Sequence, residues 1–321
     1  MRTILEILSG GEYVSGEVIS RELGVSRAAV WKKINALKDE GFEIESGGKR
    51  GYRLKFSDSL SPELWAGTLT TRWCGRGEIR YQPSVGSTNT EVKQMALTGA
   101  PGGSLCLCEE QTAGRGRLGR TWASPAGAGL WQSVLLRPRL KPEHAPLITL
   151  GAAMAMAQAV RETCGMDVRI KWPNDLVCGG KKLCGILLEM SAEPDAIEYV
   201  VVGIGLNVYH SAVPPELLHQ AAAIEDFTQP PRRCVILTHY LAALEDIITR
   251  LEERGFDGII DDYRALSCTL GSDVRVTGSV NLTGHAEDLD ASGALMVRTE
   301  DGALHRVLSG DVSVRGLMGY V

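Results

Sequence analysis

No apolar run in this 321-residue chain approaches the ~20 residues that a membrane span needs. The nearest, Leu147–Val160, is broken by Thr149, Gly151 and Gln158 and reads as a buried helix. A secretory signal is also missing: Arg2 is followed by a mixed segment with Glu6, not by an unbroken apolar core. None of the eight cysteines falls in a C-x-x-C pair, and the six histidines stand apart. Cys106 and Cys108, two positions apart, share one face if they lie on a strand. Aromatic residues make up only 6%, and a net charge of −5 is too small for a disordered polyelectrolyte. These absences argue against a membrane protein, a disulfide-stapled secreted domain and a His/Cys metal centre. What remains is a soluble cytoplasmic chain with reduced, mostly buried thiols.

At about 150 residues per domain, the length suits two or three domains. Charge divides them unevenly. Residues 1–55 carry ten Lys/Arg against eight Asp/Glu, while the remaining 266 carry 24 against 31. In this slightly basic head, Ile4, Leu5 and Leu8 fall at helical spacing within Arg2–Ser9, and Gly10-Gly11 ends the run. Ser15 caps a helix to Leu23, with Glu17 in its first turn and Gly24 as its stop. Ser26 caps the next, where Val30, Ile34 and Leu37 form an apolar stripe opposite Arg27, Lys32, Asn35 and Lys38. After Gly41 the period becomes two: Phe42 and Ile44 alternate with glutamates, Ser46–Arg50 turns, and Tyr52 and Leu54 follow. Three helices and a basic-tipped hairpin predict a winged helix-turn-helix. Its tight turn, Leu23-Gly24-Val25-Ser26, suits a recognition helix in a major groove. Lys49 and Arg50 at the hairpin tip then reach phosphate or a minor groove. A protein-docking module is the other use of such a fold.

Lys55–Pro62 is polar and reads as a linker. Beyond it, strands are expected at Leu105–Glu109, Leu130–Leu135, Val168–Lys171, Leu176–Cys178, Gly185–Met190 and Tyr199–Leu206. Helices are expected at Thr90–Gly99, Pro146–Cys164 and Arg232–Arg254. Strand following strand predicts an α+β domain with a mixed or antiparallel sheet. From Ser267 onward the pattern is purely β, with short strands around Val274, Ala294–Val297, Leu304–Leu308 and Val312–Val314, which suits a small barrel.

The densest motif, Gly114-Arg115-Gly116-Arg117-Leu118-Gly119-Arg120, formally matches a dinucleotide fingerprint but fails on context. No helix follows it, and no acidic residue lies about 20 positions on. Three arginines among glycines suit a phosphate-handling loop, in which backbone amides approach an anion and guanidiniums neutralise it; a solvated basic turn is the ordinary alternative. Lys171-Trp172-Pro173-Asn174-Asp175 makes a polar corner at a strand end. A lone lysine is usually a surface charge, but Lys182 borders the apolar strand Leu183–Met190 and is placed to turn inward. Asn207 ends an apolar strand, and Gly86-Ser87-Thr88-Asn89-Thr90 suits either a helix N-cap or a neutral polar ligand group.

Taken in order, Gly86–Asn89, the stretch Glu110–Trp122, Lys171–Asp175, Gly180–Leu187 and Gly203–Asn207 resemble the motifs of the biotin protein ligases. With the winged helix, the chain resembles the bifunctional bacterial kind that also represses the biotin operon. The resemblance covers essentially the whole chain. Leu118 stands where many relatives have another basic residue, and Tyr209–Asp226 diverges. The resemblance implies an α+β protein of three domains. These are a winged helix-turn-helix over 1–56, a mixed-sheet catalytic domain of the biotin/lipoate ligase type over 57–268, and an SH3-like β-barrel over 269–321.

It also implies two steps. Biotin's carboxylate attacks the α-phosphate of ATP to give biotinyl-5′-AMP and pyrophosphate, and a carrier lysine then attacks that mixed anhydride. Two anions must meet, so cations and Mg²⁺ have to offset their repulsion. By resemblance, Lys182, Arg117 and Asp175 are catalytic. Ser87, Thr88, Asn89, Gln111, Arg115 and Gly116 hold biotin together with Arg117 and Lys182, against apolar walls from Leu187, Leu188 and Ile204. Arg117, Arg120, Trp122, Asn174, Lys182 and Asn207 hold ATP and the adenylate, with Trp122 stacked on adenine. A lysine of pKa about 10.4 is under about 0.1% neutral at pH 7, so Asp175 is expected to orient or deprotonate the amine. A Mg²⁺ contact is its alternative role, and no metal site built by the protein alone is expected. The implied partners are the biotin carboxyl carrier domain of acetyl-CoA carboxylase, operator DNA and a second copy in a homodimer promoted by the corepressor biotinyl-5′-AMP. Arg27, Lys32, Asn35, Lys38, Lys49 and Arg50 are the expected DNA contacts. The rival readings are a biotin-sensing transcription factor without ligase activity and a lipoate-type ligase. Lys182 and the three arginines argue against the first. The second is expected to lack the arginine–glycine loop.

Overall fold

Serine caps and glycine stops define the first helices. The computed structural model describes residues 3–8, 11–39, 42–55, 58–310 and 312–316, with α1 at Ile4–Leu8, α2 at Gly16–Leu23 and α3 at Arg27–Asp39. The Ser15 hydroxyl accepts from the Val18 amide at 3.2 Å, and Gly24 ends α2 in the left-handed region. Ser26 likewise accepts from the Ala29 amide at 3.2 Å. The α3 stripe buries Val30 and Ile34, and Leu37 is half-buried. β1 (Ile44–Ser46) and β2 (Tyr52–Leu54) pair antiparallel as the wing. The expected helix ends at Arg2 and Ser9, the Gly10 stop, the Gly41 switch and Ser57 of the linker lie outside the described residues. The linker reading needs one correction: Leu60 and Ser61 are buried, and the Trp65 indole donates to the Leu60 carbonyl at 2.9 Å. Met1–Leu69 forms one compact unit, and Thr70–Val321 forms a second.

The second unit is built on a seven-stranded mixed sheet. Its elements are β3 (Ile79–Val85), α4 (Thr88–Leu97), β4 (Leu105–Gln111), β5 (Gly129–Leu136), α5 (Ala145–Cys164), β6 (Arg169–Lys171), β7 (Asp175–Cys178), β8 (Lys181–Ala192), β9 (Ile197–Asn207), α6 (Arg233–Arg254) and α7 (Ile260–Leu266). The strand order is β3-β4-β5-β9-β8-β7-β6, with β3 and β4 parallel and every other pair antiparallel. Sequence periodicity missed β3, an edge strand with Arg80, Gln82 and Pro83 in it; only an edge tolerates such a proline. α4 packs on β4, β5 and β9, whereas α5 and α6 pack on each other and on the sheet. β5 shows the two faces directly: Ser133 bonds to α4, and Gln132 points to Tyr240 of α6. α5 is apolar almost all round because it is a central core helix. Among the described residues, no helix is long and apolar enough to cross a membrane.

Five further strands form an antiparallel sheet: β10 (Asp273–Gly278), β11 (Leu282–Leu289), β12 (Leu295–Arg298), β13 (Leu304–Val307) and β14 (Val312–Gly316), in the order β13-β12-β11-β10-β14. Sequence reading missed β11, whose outward residues Thr283, His285 and Glu287 leave few apolar positions to read. Trp172 ties this sheet to the larger one. It is fully buried, its amide donates to Thr269 Oγ1 at 2.9 Å, and its indole donates to the Gly293 carbonyl at 3.1 Å.

Candidate active site

Three glycines flatten a patch at the middle of the large sheet. A Cβ at Gly203 would lie 2.1 Å from Asn89 Oδ1, and one at Gly205 would lie 2.4 Å from Trp122 Nε1. Gly185, paired with Gly205, would press a Cβ to 2.9 Å from the same indole. The Gly-x-Gly of β9 thus lets Asn89 and Trp122 rest on the strands. Above this floor lies a cavity of about 270 Å³, at the small end of ligand sites. All thirteen residues selected from the motifs line it: Ser87, Thr88, Asn89, Gln111, Arg115, Gly116, Arg117, Arg120, Trp122, Asn174, Asp175, Lys182 and Asn207. Of the expected apolar walls, Leu187 lies on the face of Gly185, Gly203 and Gly205; Ile204, although among the lining residues, turns its side chain to the other face, opposite Gln132. Leu188 does not line the cavity, because strand alternation turns it to the other face.

The start of α4 supplies a neutral corner. Ser87 holds the N-cap position, yet its side chain makes no cap bond. The Thr88 amide and hydroxyl donate to Gln111 Oε1 at 3.0 and 3.2 Å, and Gln111 Nε2 donates to Ser124 Oγ at 2.9 Å. Ser133 Oγ lies 2.7 Å from Thr88 Oγ1 and donates to Asn89 Oδ1 at 2.6 Å. Thr88, Asn89 and Ser133 are buried, so these bonds fix polar groups that would be costly to leave unmade. Ser133 was not selected from the sequence, although a polar residue inside the apolar β5 was its signal.

Charge gathers around β7 and β8. Lys182 Nζ pairs with Asp175 Oδ1 at 2.6 Å and lies 5.1 Å from the centroid of the Trp122 ring. Arg117 Nη1 donates to Asn174 Oδ1 at 3.0 Å, and its Nη2 donates to the carbonyls of Ser309 and Gly310 before β14. Asn174 Nδ2 in turn donates to the Ile186 carbonyl at 2.8 Å. Asn207 is buried and donates to the Ala222 carbonyl at 3.1 Å, which ties the Tyr209–Asp226 stretch to the sheet. Two cations that the motif reading did not assign also line the cavity, Lys171 and Arg315. Lys171 is 5% exposed, and burial pulls it down to about 8 against the pull of Asp175. Among the described residues, six that line the cavity are cationic and one, Asp175, is a carboxylate. Among the described residues, no group of three His, Cys, Asp or Glu is placed to hold a metal.

The arginine–glycine loop differs from the expected amide cradle. The Gly116 amide donates to the Arg120 carbonyl at 2.7 Å, and the Trp122 amide donates to the Gly114 carbonyl at 2.9 Å. The loop therefore closes on itself as a hairpin, and these two amides are taken internally. Leu118 sits at its tip in the left-handed region at φ 57°, 53% exposed. The Trp122 indole nitrogen, which rests over Gly205, is buried with no partner among the described residues.

In the winged head, Arg27, Lys32, Lys38, Lys49 and Arg50 are exposed and Asn35 is half-buried. Arg27 pairs with Glu17 at 2.7 Å, Lys38 donates to Ser46 Oγ at 3.3 Å, and Arg50 lies 4.1 Å over the Tyr13 ring. Trp31, 60% exposed, shares a ridge of α3 with Arg27, Asn35 and Lys38 and was not selected from the sequence.

Residues 81–207 match the biotin/lipoate A/B protein ligase family, 1–53 match an HTH domain, and 269–315 match the biotin protein ligase C-terminal domain. The chain is 35% identical over 320 residues to the bifunctional ligase/repressor BirA of Bacillus spizizenii, with 98% of each covered. It is 35% identical over 250 residues to a biotin–[acetyl-CoA-carboxylase] ligase of Mycobacterium tuberculosis, covering 74% of this chain and 91% of that one. It is also similar to the solved biotin protein ligase from Aquifex aeolicus in complex with biotin and ATP. There the TM-score is 0.65 and the identity 28%, covering 74% of this chain and 99% of the other.

Proposed function

The chain belongs to the biotin protein ligases of the bifunctional ligase/repressor type, and from that premise we propose how its residues divide the work. It is a biotin–protein ligase with a DNA-binding head, and its small-molecule substrates are biotin and ATP. The observation that carries the reading is a cavity in which, among the described residues, a neutral hydrogen-bonded corner adjoins six cations and the carboxylate of Asp175. The corner of Ser87, Thr88, Asn89 and Gln111 suits biotin's ureido ring, with Leu187 against its apolar part. Arg117, Arg120, Asn174, Lys182 and Asn207 suit the phosphates and ribose, and Trp122 the adenine.

Two anions approach each other in the first step, and cations already gathered in the cavity lower that barrier. Lys182 is held ready by Asp175. When the carboxylate and α-phosphate arrive, Lys182 turns to them and Asp175 is released to orient or deprotonate the carrier lysine in the second step. Mg²⁺, which shields the phosphates' charge, would enter with the nucleotide; Asp175 alone suits an ion that is bound mostly by phosphates and water. Incubation with ATP, labelled biotin and a biotin carboxyl carrier domain tests this reading. Labelled carrier is expected. Bound biotin without adenylate would leave a sensor, and preference for lipoate would leave a lipoate-type ligase.

The exposed ridge of α3 and the wing residues Lys49 and Arg50 suit operator DNA, with affinity falling steeply as salt rises. A head with a net charge of +2 over residues 1–55 offers few phosphate contacts, so two heads on a palindrome are expected, and the repressing form is a homodimer promoted by biotinyl-5′-AMP. Sedimentation equilibrium with and without biotin plus ATP checks this; a mass unmoved by ligand would contradict the dimer alone. The carrier domain competes for the same face, and the site of action is the cytoplasm.

A further inference from the structure

Glu189, near the end of β8, was selected by no motif, yet it joins the neutral corner to the arginine–glycine loop. Its Oε2 accepts from Asn89 Nδ2 at 2.7 Å, its Oε1 accepts from Lys93 Nζ of α4, and Arg115 Nη2 lies 3.7 Å from Oε2. Arg115 Nη2 also donates to Thr90 Oγ1 at 2.9 Å, which places the guanidinium against the first turn of α4. We propose that Glu189 is a positioning residue that fixes which way the Asn89 amide faces in the biotin pocket and makes that orientation depend on Arg115 of the loop. The proposal rests on the ligase reading of the cavity.

A carboxylate only accepts hydrogen bonds, so Asn89 must turn its NH₂ toward Glu189. Its second N–H points to the Leu187 carbonyl, 3.4 Å away. Oδ1 is thereby turned to Ser133 and lies over Gly203, where a Cβ would come within 2.1 Å of it. An amide oxygen has two lone pairs and Ser133 takes one, so the second is left to accept from a ligand N–H, the group that both ureido nitrogens of biotin carry. Without the carboxylate, an amide next to the Leu187 carbonyl and the Ser133 hydroxyl loses its strongest reason to face one way. Lys93 and Arg115 together hold Glu189 as a carboxylate, its acidity strengthened against the effect of burial. Two cations share one anion, and Arg115 is the more loosely held of the two. Ordering of the loop by a bound adenylate would therefore tighten the same carboxylate that orients Asn89.

The test is calorimetric titration of biotin, and of a biotin analogue methylated on a ureido nitrogen, into wild-type protein and the Glu189→Gln, Glu189→Ala, Arg115→Ala and Glu189→Ala/Arg115→Ala variants. Glu189→Ala should weaken biotin at least tenfold and shrink the wild-type preference for biotin over its analogue at least fivefold, because a freed amide no longer demands the N–H. Glu189→Gln, which keeps shape and one acceptor, should fall between the two. In steady-state assays the loss should appear in KM for biotin and not in KM for ATP. The effects of Arg115→Ala and Glu189→Ala should be less than additive. An unchanged preference in both Glu189 variants, or equal weakening of biotin and analogue, would overturn the positioning role. Fully additive losses would overturn the coupling to the loop. Wild-type protein that binds no biotin would overturn the ligase reading itself, a result distinct from either.

Discussion

Thr88, Asn89, Gln111 and Ser133 are neutral and hydrogen-bonded to one another, whereas Lys171, Lys182, Arg117 and Arg315 are cations that share the cavity with the carboxylate of Asp175. The first set sits on strands and a helix start and is mostly buried. The second set stands at strand ends and in the arginine–glycine loop, and apart from Lys171 it is half-buried or exposed. On the proposed reading, the contrast separates two tasks. Recognition of an uncharged ring needs fixed donors and acceptors, since each unmade buried bond costs about 1–3 kcal/mol. Joining a carboxylate to a triphosphate needs charge, and charge must be able to change partners as the reaction proceeds.

Removing a cation should strike chemistry far more than recognition. Lys182→Ala should lower adenylate formation at least ~100-fold, the scale of one preorganised electrostatic contact. Biotin affinity should change by less than about tenfold, because the neutral set is untouched. Pyrophosphate release and calorimetry measure the two, with circular dichroism as the folding control. Equal losses in both would erase the contrast.

The loop is the next place to press. Arg117→Gly removes the bonds to Asn174 and to the carbonyls of Ser309 and Gly310. If these bonds shield the anhydride from stray amines, the adenylate should leave about tenfold faster and label unrelated lysines. Unchanged release and carrier selectivity would show that the loop is no shield.

The neutral set should respond the opposite way. Ser133→Ala strips a donor from Asn89 Oδ1 and a neighbour from Thr88, so KM for biotin should rise about tenfold with kcat nearly constant, on the scale of one buried bond. A fall in kcat alone would place Ser133 with the chemistry.

The smallest effect concerns pH. Burial lowers Lys171 to about 8, so the folded protein releases this proton while the unfolded chain, with an ordinary lysine, still holds it. Between about 8 and the ordinary lysine value, stability should therefore rise with pH; below about 8 the cost of the buried charge is full. Adenylate formation should fall a few-fold over the same rise, as one cavity cation is lost. Lys171→Met should flatten both curves, and a variant that tracks wild type would show that another group titrates.

The motif residues were legible because their segments, taken in order, resemble those of the biotin protein ligases, and several are polar or glycine interruptions at the ends of apolar strands. Such interruptions converge wherever the strands do. The roles of Gly203 and Gly205 were not legible, since they depend on Asn89 and Trp122 arriving from distant segments. Glu189 and Arg315 were hidden for a related reason: at the end of an apolar strand, a lone charge looks like a solvated end until its partners are placed. The longer helices and most strands followed from period and caps, whereas α7 escaped as a helix of only seven residues, β3 because it is a polar edge and β11 because it buries few of its residues. In the arginine–glycine loop, the amides of Gly116, Arg120 and Trp122 are taken by the loop's own carbonyls, a pairing that the spacing of glycines does not reveal.

The division of the cavity is tested most directly by a crystal structure with a non-hydrolysable analogue of biotinyl-5′-AMP. The account predicts the ureido ring within hydrogen-bond distance of Thr88, Asn89 and Gln111. It also predicts the phosphate-like group against Lys182, with the Lys182–Asp175 contact of 2.6 Å broken. A phosphate-like group held at the Ser87–Asn89 corner, or a Lys182 still paired with Asp175, would contradict it.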